Sequence, residues 1–217
     1  MSDVLAEAID ASRVFGTNGS RVVALQHATC RIERGDRIAL VGPSGSGKST
    51  LLHLLAALDE PTSGTVRWPA LGERDTLRPS KISVVFQTES LLAPLTVLEN
   101  IEVPRLLAGS NADEARSDAF EILGALDLAE LADKLPEEIS GGQAQRAAVA
   151  RSLITRPALI LADEPTGQLD RHTAKDLLNL LLRRIKGSDT ALVIATHDPL
   201  IASRMETQWT MEHGVLS

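Results

Sequence analysis

The chain has 217 residues, 43% hydrophobic and 24% charged, with a formal net charge of −7 and only 2% aromatics. That is the balance expected of a soluble protein with one large domain, or a domain with a lobe, around an aliphatic core. An acidic surplus speaks against non-specific nucleic-acid binding, which needs a basic face. The single cysteine, Cys30, excludes an internal disulfide and fits a reducing compartment. No run approaches the ~18 apolar residues of a membrane span. The first residues, MSDVLAEAID, lack the basic-then-apolar pattern of a secretory signal, so a cytosolic location is expected.

In chain order, "NGS" at Asn18 matches a glycosylation sequon but reads as a turn, since Asn-Gly accepts positive φ. "RIALV" (37–41) reads as a short buried strand, and the leucines of "KSTLLHLLAAL" (48–58) have helical spacing. Residues 60–80 are rich in turn formers and predict irregular structure. "KISVVF" (81–86) predicts a strand, 96–135 mostly helix, and Pro136 with Gly141 and Gly142 interrupts that pattern. "QAQRAAVARSLI" (143–154) predicts an alanine-rich helix, "ALILA" (158–162) a buried strand, 173–186 a leucine-rich helix and "TALVIA" (190–195) a further strand. Strands alternating with helices imply an α/β fold with a parallel sheet between helical faces.

Three stretches carry chemistry. "GPSGSGKST" follows a strand and opens a helix: Gly42, Pro43, Ser44, Gly45, Ser46, Gly47, Lys48, Ser49 and Thr50. Its first eight residues fit the phosphate-binding pattern G-x-x-x-x-G-K-[ST]. Glycines let successive N–H groups point into one concavity, and the helix adds its positive end. Lys48 supplies a mobile charge for β and γ phosphates, and the Ser49 hydroxyl can coordinate Mg²⁺. Kinases, GTPases and ATPases all use such a cradle. In "LILADEPTGQLD" an apolar strand ends in Asp163 and Glu164, at the crevice where open α/β sheets bind ligands. Asp163 can hold the Mg²⁺ shell, and Glu164 can polarise an attacking water. In "ISGGQAQRAAVARSL", Ser140, Gly141, Gly142 and Gln143 open a helix, a second candidate anion site.

In this order the motifs resemble the ATP-binding-cassette (ABC) ATPases, whose signature is "SGGQ", over about residues 5 to 215. The resemblance implies a P-loop NTPase fold with a mostly parallel sheet core, a small antiparallel β lobe and a helical signature lobe. It implies one domain over 1–217, with about 1–87 and 155–217 as nucleotide-binding core and about 88–154 as helical lobe. It assigns Gln87 in "VFQ" to the metal and the attacking water, and His197 in "ATHD" to the γ-phosphate. It assigns Asp170 in "GQLD" to the segment that crosses to a second subunit, and Phe15 in "SRVFG" to stacking on adenine. Two chains are then expected to pair head to tail, each ATP lying between the Gly42–Ser49 loop of one and the Ser140–Gly142 segment of the other.

"AALDEPTSG", "TVLENIEVPRLLAG" and "ADEPTGQLD" look like the branch that holds lipoprotein-release, macrolide-efflux and cell-division ATPases. These work with permeases of few spans, which implies an integral-membrane partner, attachment to the inner face of the cell membrane through it, and no nucleic acid. The alternative is a soluble family member acting on DNA or ribosomes, or a cell-division regulator. The DNA-repair type needs a long coiled coil before the signature, and the roughly 90 residues here show no sustained heptads. The ribosome type carries two cassettes, and this chain carries one. Three departures stand out: a short 65–80 stretch pointing to a trimmed β lobe, "TESLL" without an aromatic after Gln87, and Gln168 where Asn is commoner. The permease helix is expected to dock beside the Gln87 loop, in a groove including Leu91, Leu92, Leu95 and Val97.

Overall fold

A computed structural model describes residues 3–16, 20–87, 90–167 and 169–217. The turn expected at Asn18, the first residues of "TESLL" and the substitution at Gln168 lie outside the described residues. In chain order the elements are β1 (Val4–Phe15), β2 (Val22–Glu33), β3 (Arg37–Val41), α1 (Lys48–Leu55), β4 (Ser63–Arg67) and β5 (Ile82–Val85). Next come α2 (Val97–Leu107), α3 (Ala112–Ala125), α4 (Gly141–Leu153), β6 (Leu159–Asp163) and α5 (Arg171–Ile185). The chain closes with β7 (Ala191–Thr196), α6 (Pro199–Ala202), β8 (Thr207–Glu212) and β9 (Val215–Leu216).

Six strands form the main sheet in the order β5-β6-β7-β3-β8-β9. All its pairings are parallel except the last, β8 with β9. Alternate residues of each inner strand feed opposite faces. Leu159, Leu161, Val193 and Ala195 pack with α1 and the smaller sheet. Ile160, Ala162, Leu192 and Ile194 pack beneath α2, α4 and α5. The smaller sheet is antiparallel, in the order β2-β1-β4. It is joined to the main sheet where the Gln26 N–H donates to Gly214 O at 2.7 Å.

The 60–80 stretch is less irregular than its turn formers suggest. Residues 63–67 pair with β1, Ala8 opposite Val66 and Ile9 opposite Thr65. Gly64, at φ 77°, sits where an added Cβ would lie 2.2 Å from Asp10 O. The residue that looks like a turn signal is therefore a close backbone approach within a strand. Helices α4 and α5 begin two residues earlier than their leucine and alanine periodicity indicates. Ser140 and Asp170 cap them, and the capped first turns carry no apolar pattern.

Candidate nucleotide site at the ends of the parallel strands

The loop between β3 and α1 is wedged between two other strands. An added Cβ at Gly42 would lie 2.1 Å from Met211 O on β8, and one at Gly47, at φ 108°, 2.4 Å from Ala24 O on β2. Only glycine fits there, so the pattern's terminal glycines answer to tertiary crowding as well as to loop shape. Pro43, Ser44, Gly45 and Ser49 are exposed, and Gly42, Gly47 and Thr50 are half-buried. Ser46 is buried, and its Oγ has no hydrogen-bond partner among the described residues. An orphaned hydroxyl inside a glycine cradle suits a ligand rich in oxygen atoms.

Lys48 is only 5% exposed. Its Nζ donates to Gly42 O at 2.8 Å and Pro43 O at 3.0 Å, and lies 3.7 Å from Glu164 Oε1. A buried ammonium is tolerated when paired and hydrogen-bonded in this way. The carbonyls that hold it belong to the loop itself, so the charge stays at the cradle.

Glu164 gathers the rest of the site. It follows β6 at φ 43°, a left-handed conformation costly for a non-glycine residue. The turn is pinned by its N–H donating to Ala195 O at 2.9 Å. Its carboxylate is 11% exposed, with His197 Nδ1 3.1 Å from Oε2. Gln87 Nε2 donates to the same oxygen at 3.3 Å. Lys48, Gln87 and His197 come from three separate segments, each at the carboxyl end of a strand or just past it. Asp163 is buried at the end of β6, opposite Ala195 on β7.

Ser140 is spent partly on its own helix. Its Oγ accepts from the Gln143 N–H at 3.3 Å, and Gln143 Oε1 accepts from the Ser140 N–H at 2.8 Å. Ser140 and Gly141 remain exposed. Among the described residues no hydrogen bond or ion pair joins residues 140–143 to residues 42–50. Gly142 lies instead against α5, where an added Cβ would be 3.4 Å from Thr173 and 3.7 Å from Leu169. Asp170 caps α5, accepting from the His172 and Thr173 N–H groups. The hydrogen bond from the Thr173 hydroxyl, then those backbone donors, hold its carboxyl below the usual range. Phe15 stands at the end of β1 with 42% of its surface exposed.

Several residues that sequence reasoning passed over organise the Gln87 loop. Gln145 on α4 donates to Phe86 O at 3.4 Å, and Arg151 on the same helix donates to Ser90 O at 2.8 Å and Ser90 Oγ at 2.7 Å. Burial pushes the Arg151 guanidinium below its ordinary value. Buried Asn100 accepts from the Leu92 N–H at 2.6 Å and donates to the carbonyls of Leu92, Leu95 and Thr96. The loop is thus strapped to the helix that begins at the signature. No local pattern signals this, because each bond spans distant segments or an irregular turn.

The expected docking groove needs correction. Leu92 is 47% exposed, whereas Val97 is 0% exposed and packs in the core beneath α2. Val97 opens that helix and turns inward, so it lines no surface groove. Leu91 and Leu95 are half-buried. A groove of about 200 Å³ does lie beside the loop, lined by residues that include Leu58, Arg78, Phe86, Pro104 and Arg151.

The sequence matches the family model described as "ABC transporter" over residues 25–167. It is 44% identical over 211 residues to the lipoprotein-releasing system ATP-binding protein LolD of Bordetella pertussis, covering 94% of this chain and 91% of that one. It is 41% identical to the protein of the same name from Legionella pneumophila strain Paris, covering 100% and 98%. Among solved structures it resembles a dimeric post-hydrolysis state of the ATP-binding cassette MJ0796 bound to ADP and Pi, with TM-score 0.88, 32% identity and 98% of each chain covered. It also resembles cbiO1 from Clostridium perfringens, part of the ABC transporter complex cbiONQ, with TM-score 0.82, 26% identity and 100% and 88% coverage.

Proposed function

This chain belongs to the ABC transporter family as an ATP-binding, ATP-hydrolysing subunit, and we propose that it powers a lipoprotein-releasing type of membrane system through ATP-dependent closure of a cassette dimer. The convergence of Lys48, Gln87 and His197 on the Glu164 carboxylate carries the catalytic part of this reading. The triphosphate rests on backbone N–H groups of the Gly42–Ser49 loop, to which Pro43 contributes none, and Lys48 moves from the loop carbonyls to the β and γ oxygens. Glu164 accepts the proton of the attacking water. Gln87 and His197 hold that carboxylate in place, and His197 reaches the γ-phosphate.

The oxygen donors Ser49, Asp163 and Gln87 suit Mg²⁺. That ion takes one or two carboxylates plus substrate phosphates and water, rather than a full protein cage. Ser49 is exposed at the first turn of α1 and buried Asp163 ends β6, and each would offer one oxygen to the ion. When bound, the ion would neutralise charge developing on the phosphates.

The exposure of Ser140 and Gly141 at the start of α4 supports use of this segment by a second copy of the chain. Ser140 and the helix end behind it would then supply positive potential at the partner's γ-phosphate. The segment around Asp170 would lie along the same junction, and Phe15 would stack on the base. The helical lobe, about 88–154, would move on the core through the Gln87 loop. No helix among the described residues is long and apolar enough to cross a membrane. Attachment at the membrane's inner face would run through a permease docked beside the Gln87 loop, at Leu92 or in the groove lined by Phe86.

The test is isolation of the chain from membranes with whatever it binds, followed by measurement of stimulated ATP hydrolysis. A polytopic partner that releases lipoproteins supports the reading. A solute permease would overturn the lipoprotein assignment, and a complex with no membrane protein would overturn the coupling.

A further inference from the structure

The Arg13 guanidinium lies over the Phe15 ring, 4.7 Å from its centroid. Asp59 holds the same guanidinium along its Nε–Nη2 edge with two contacts. Arg13 Nε donates to Asp59 Oδ2 at 2.8 Å, and Nη2 lies 2.7 Å from Oδ1. Both side chains are 25% exposed, sheltered enough for a forked pair to hold its geometry. Asp59 is itself fixed. Its N–H reaches back to His53 O on α1 at 3.3 Å, and its Oδ1 also accepts from the Glu60 N–H at 2.8 Å. An exposed aromatic at the end of a strand loses rotamer freedom when a ligand stacks on it. A ring already held by a stacked, anchored guanidinium has lost that freedom beforehand.

The geometry points to Arg13 as a positioning residue for the base of the nucleotide. It covers one face of Phe15, fixes the ring's orientation and leaves the opposite face for a purine. Through Asp59 it ties this platform to α1, the helix that starts at Lys48. The ligand class is the aromatic base of a nucleoside triphosphate, and the phosphates are not touched. The inference rests on Phe15 being the stacking surface. Lysine cannot replace Arg13, because an ammonium offers neither the planar stack nor the fork.

Calorimetry with ATP and with inorganic tripolyphosphate tests this on the full chain, in a double-mutant cycle of Arg13→Ala and Phe15→Ala. Arg13→Ala should weaken ATP about threefold, the scale of an exposed cation–π contact, and leave tripolyphosphate unchanged. In the Phe15→Ala background it should have no further effect. Arg13→Lys should behave like Arg13→Ala. Asp59→Asn should shift ATP binding in the same direction, and it serves as the second variant should Arg13→Ala unfold. Equal loss of ATP and tripolyphosphate would make Arg13 a general electrostatic contributor and overturn the proposal. So would an undiminished effect of Arg13→Ala without Phe15. If Phe15→Ala weakens ATP and Arg13→Ala does not, the positioning role alone falls. If Phe15→Ala leaves ATP binding intact, the stacking assignment falls and takes the proposal with it.

Discussion

Glu164 shows how much a single residue here depends on its neighbours. Its left-handed backbone is strained, and its carboxylate is nearly enclosed with a lysine, a glutamine and a histidine around it. Strain at such a position persists only where surrounding structure over-determines it. Glu164→Gln keeps the shape but turns one acceptor oxygen into an NH2 donor and removes the proton acceptor. It should retain ATP affinity while lowering kcat by roughly 10²–10⁴, the usual weight of a general base. Phosphate release and calorimetry on one preparation check both halves, and a variant that turns over normally would remove Glu164 from the base role. Lys48→Ala acts on binding instead. Losing one charged donor to phosphate should weaken ATP by about tenfold or more, read by calorimetry on a variant shown to be folded. Cys30 lies outside this chemistry. Burial pushes its thiol up to about 12, so it should resist alkylation at pH 8 in the native chain and react once denatured.

At the scale of elements, the loop from Gln87 into α2 is built from one buried asparagine, one arginine strap and one capping box. Thr96 Oγ1 accepts from the Glu99 N–H at 3.2 Å, and Glu99 Oε2 accepts from the Thr96 N–H at 2.8 Å. This start turns Val97 inward and leaves Leu92 facing out. The two apolar residues, read alike from sequence, should therefore respond differently to charge. Val97→Asp buries an unpaired carboxylate and should cost about 3 kcal/mol or more. Leu92→Asp should shift stability by no more than about 0.5 kcal/mol. Denaturant melts of the isolated subunit compare them directly. With the permease present, Leu92→Asp should cut stimulated hydrolysis if the loop makes the contact, and intact stimulation would move the contact to the groove at Phe86.

For the whole molecule, the main sheet divides two apolar layers, one toward the antiparallel lobe and one toward the helices. The cradle, Glu164 and His197 belong to the sheet, whereas Ser140–Gln143 opens a helix of the other layer. If that segment completes the site of a second copy, ATP bound by Glu164→Gln should trap a dimer by mass action, because the ligand binds fully only there. Light scattering with and without ATP measures this, and a variant that stays monomeric at saturating ATP argues against the shared site. Mixing Lys48→Ala with Ser140→Arg chains should restore one intact site in two. Hydrolysis by the mixture, absent from either variant alone, checks it.

Some of this protein was fixed by residues close together in the chain. The phosphate loop needs only Gly42 to Ser49 between a strand and a helix, because backbone conformation and helix polarity act over a few residues. The acids ending β6 and the cap at Ser140 are local in the same way, and so are the central strands and main helices. The antiparallel lobe was less legible. Its strands are half-exposed, and β4 carries a glycine whose purpose lies on another strand. Resemblance alone supplied Gln87 and His197, and only the register of parallel β6 and β7, with the return of the Gln87 loop, brings them to Glu164. The inward turn of Val97, the orphaned Ser46 hydroxyl and the Arg13–Phe15–Asp59 stack are likewise products of packing. They arise where segments far apart in sequence exclude water from one another, which no spacing along a single segment records.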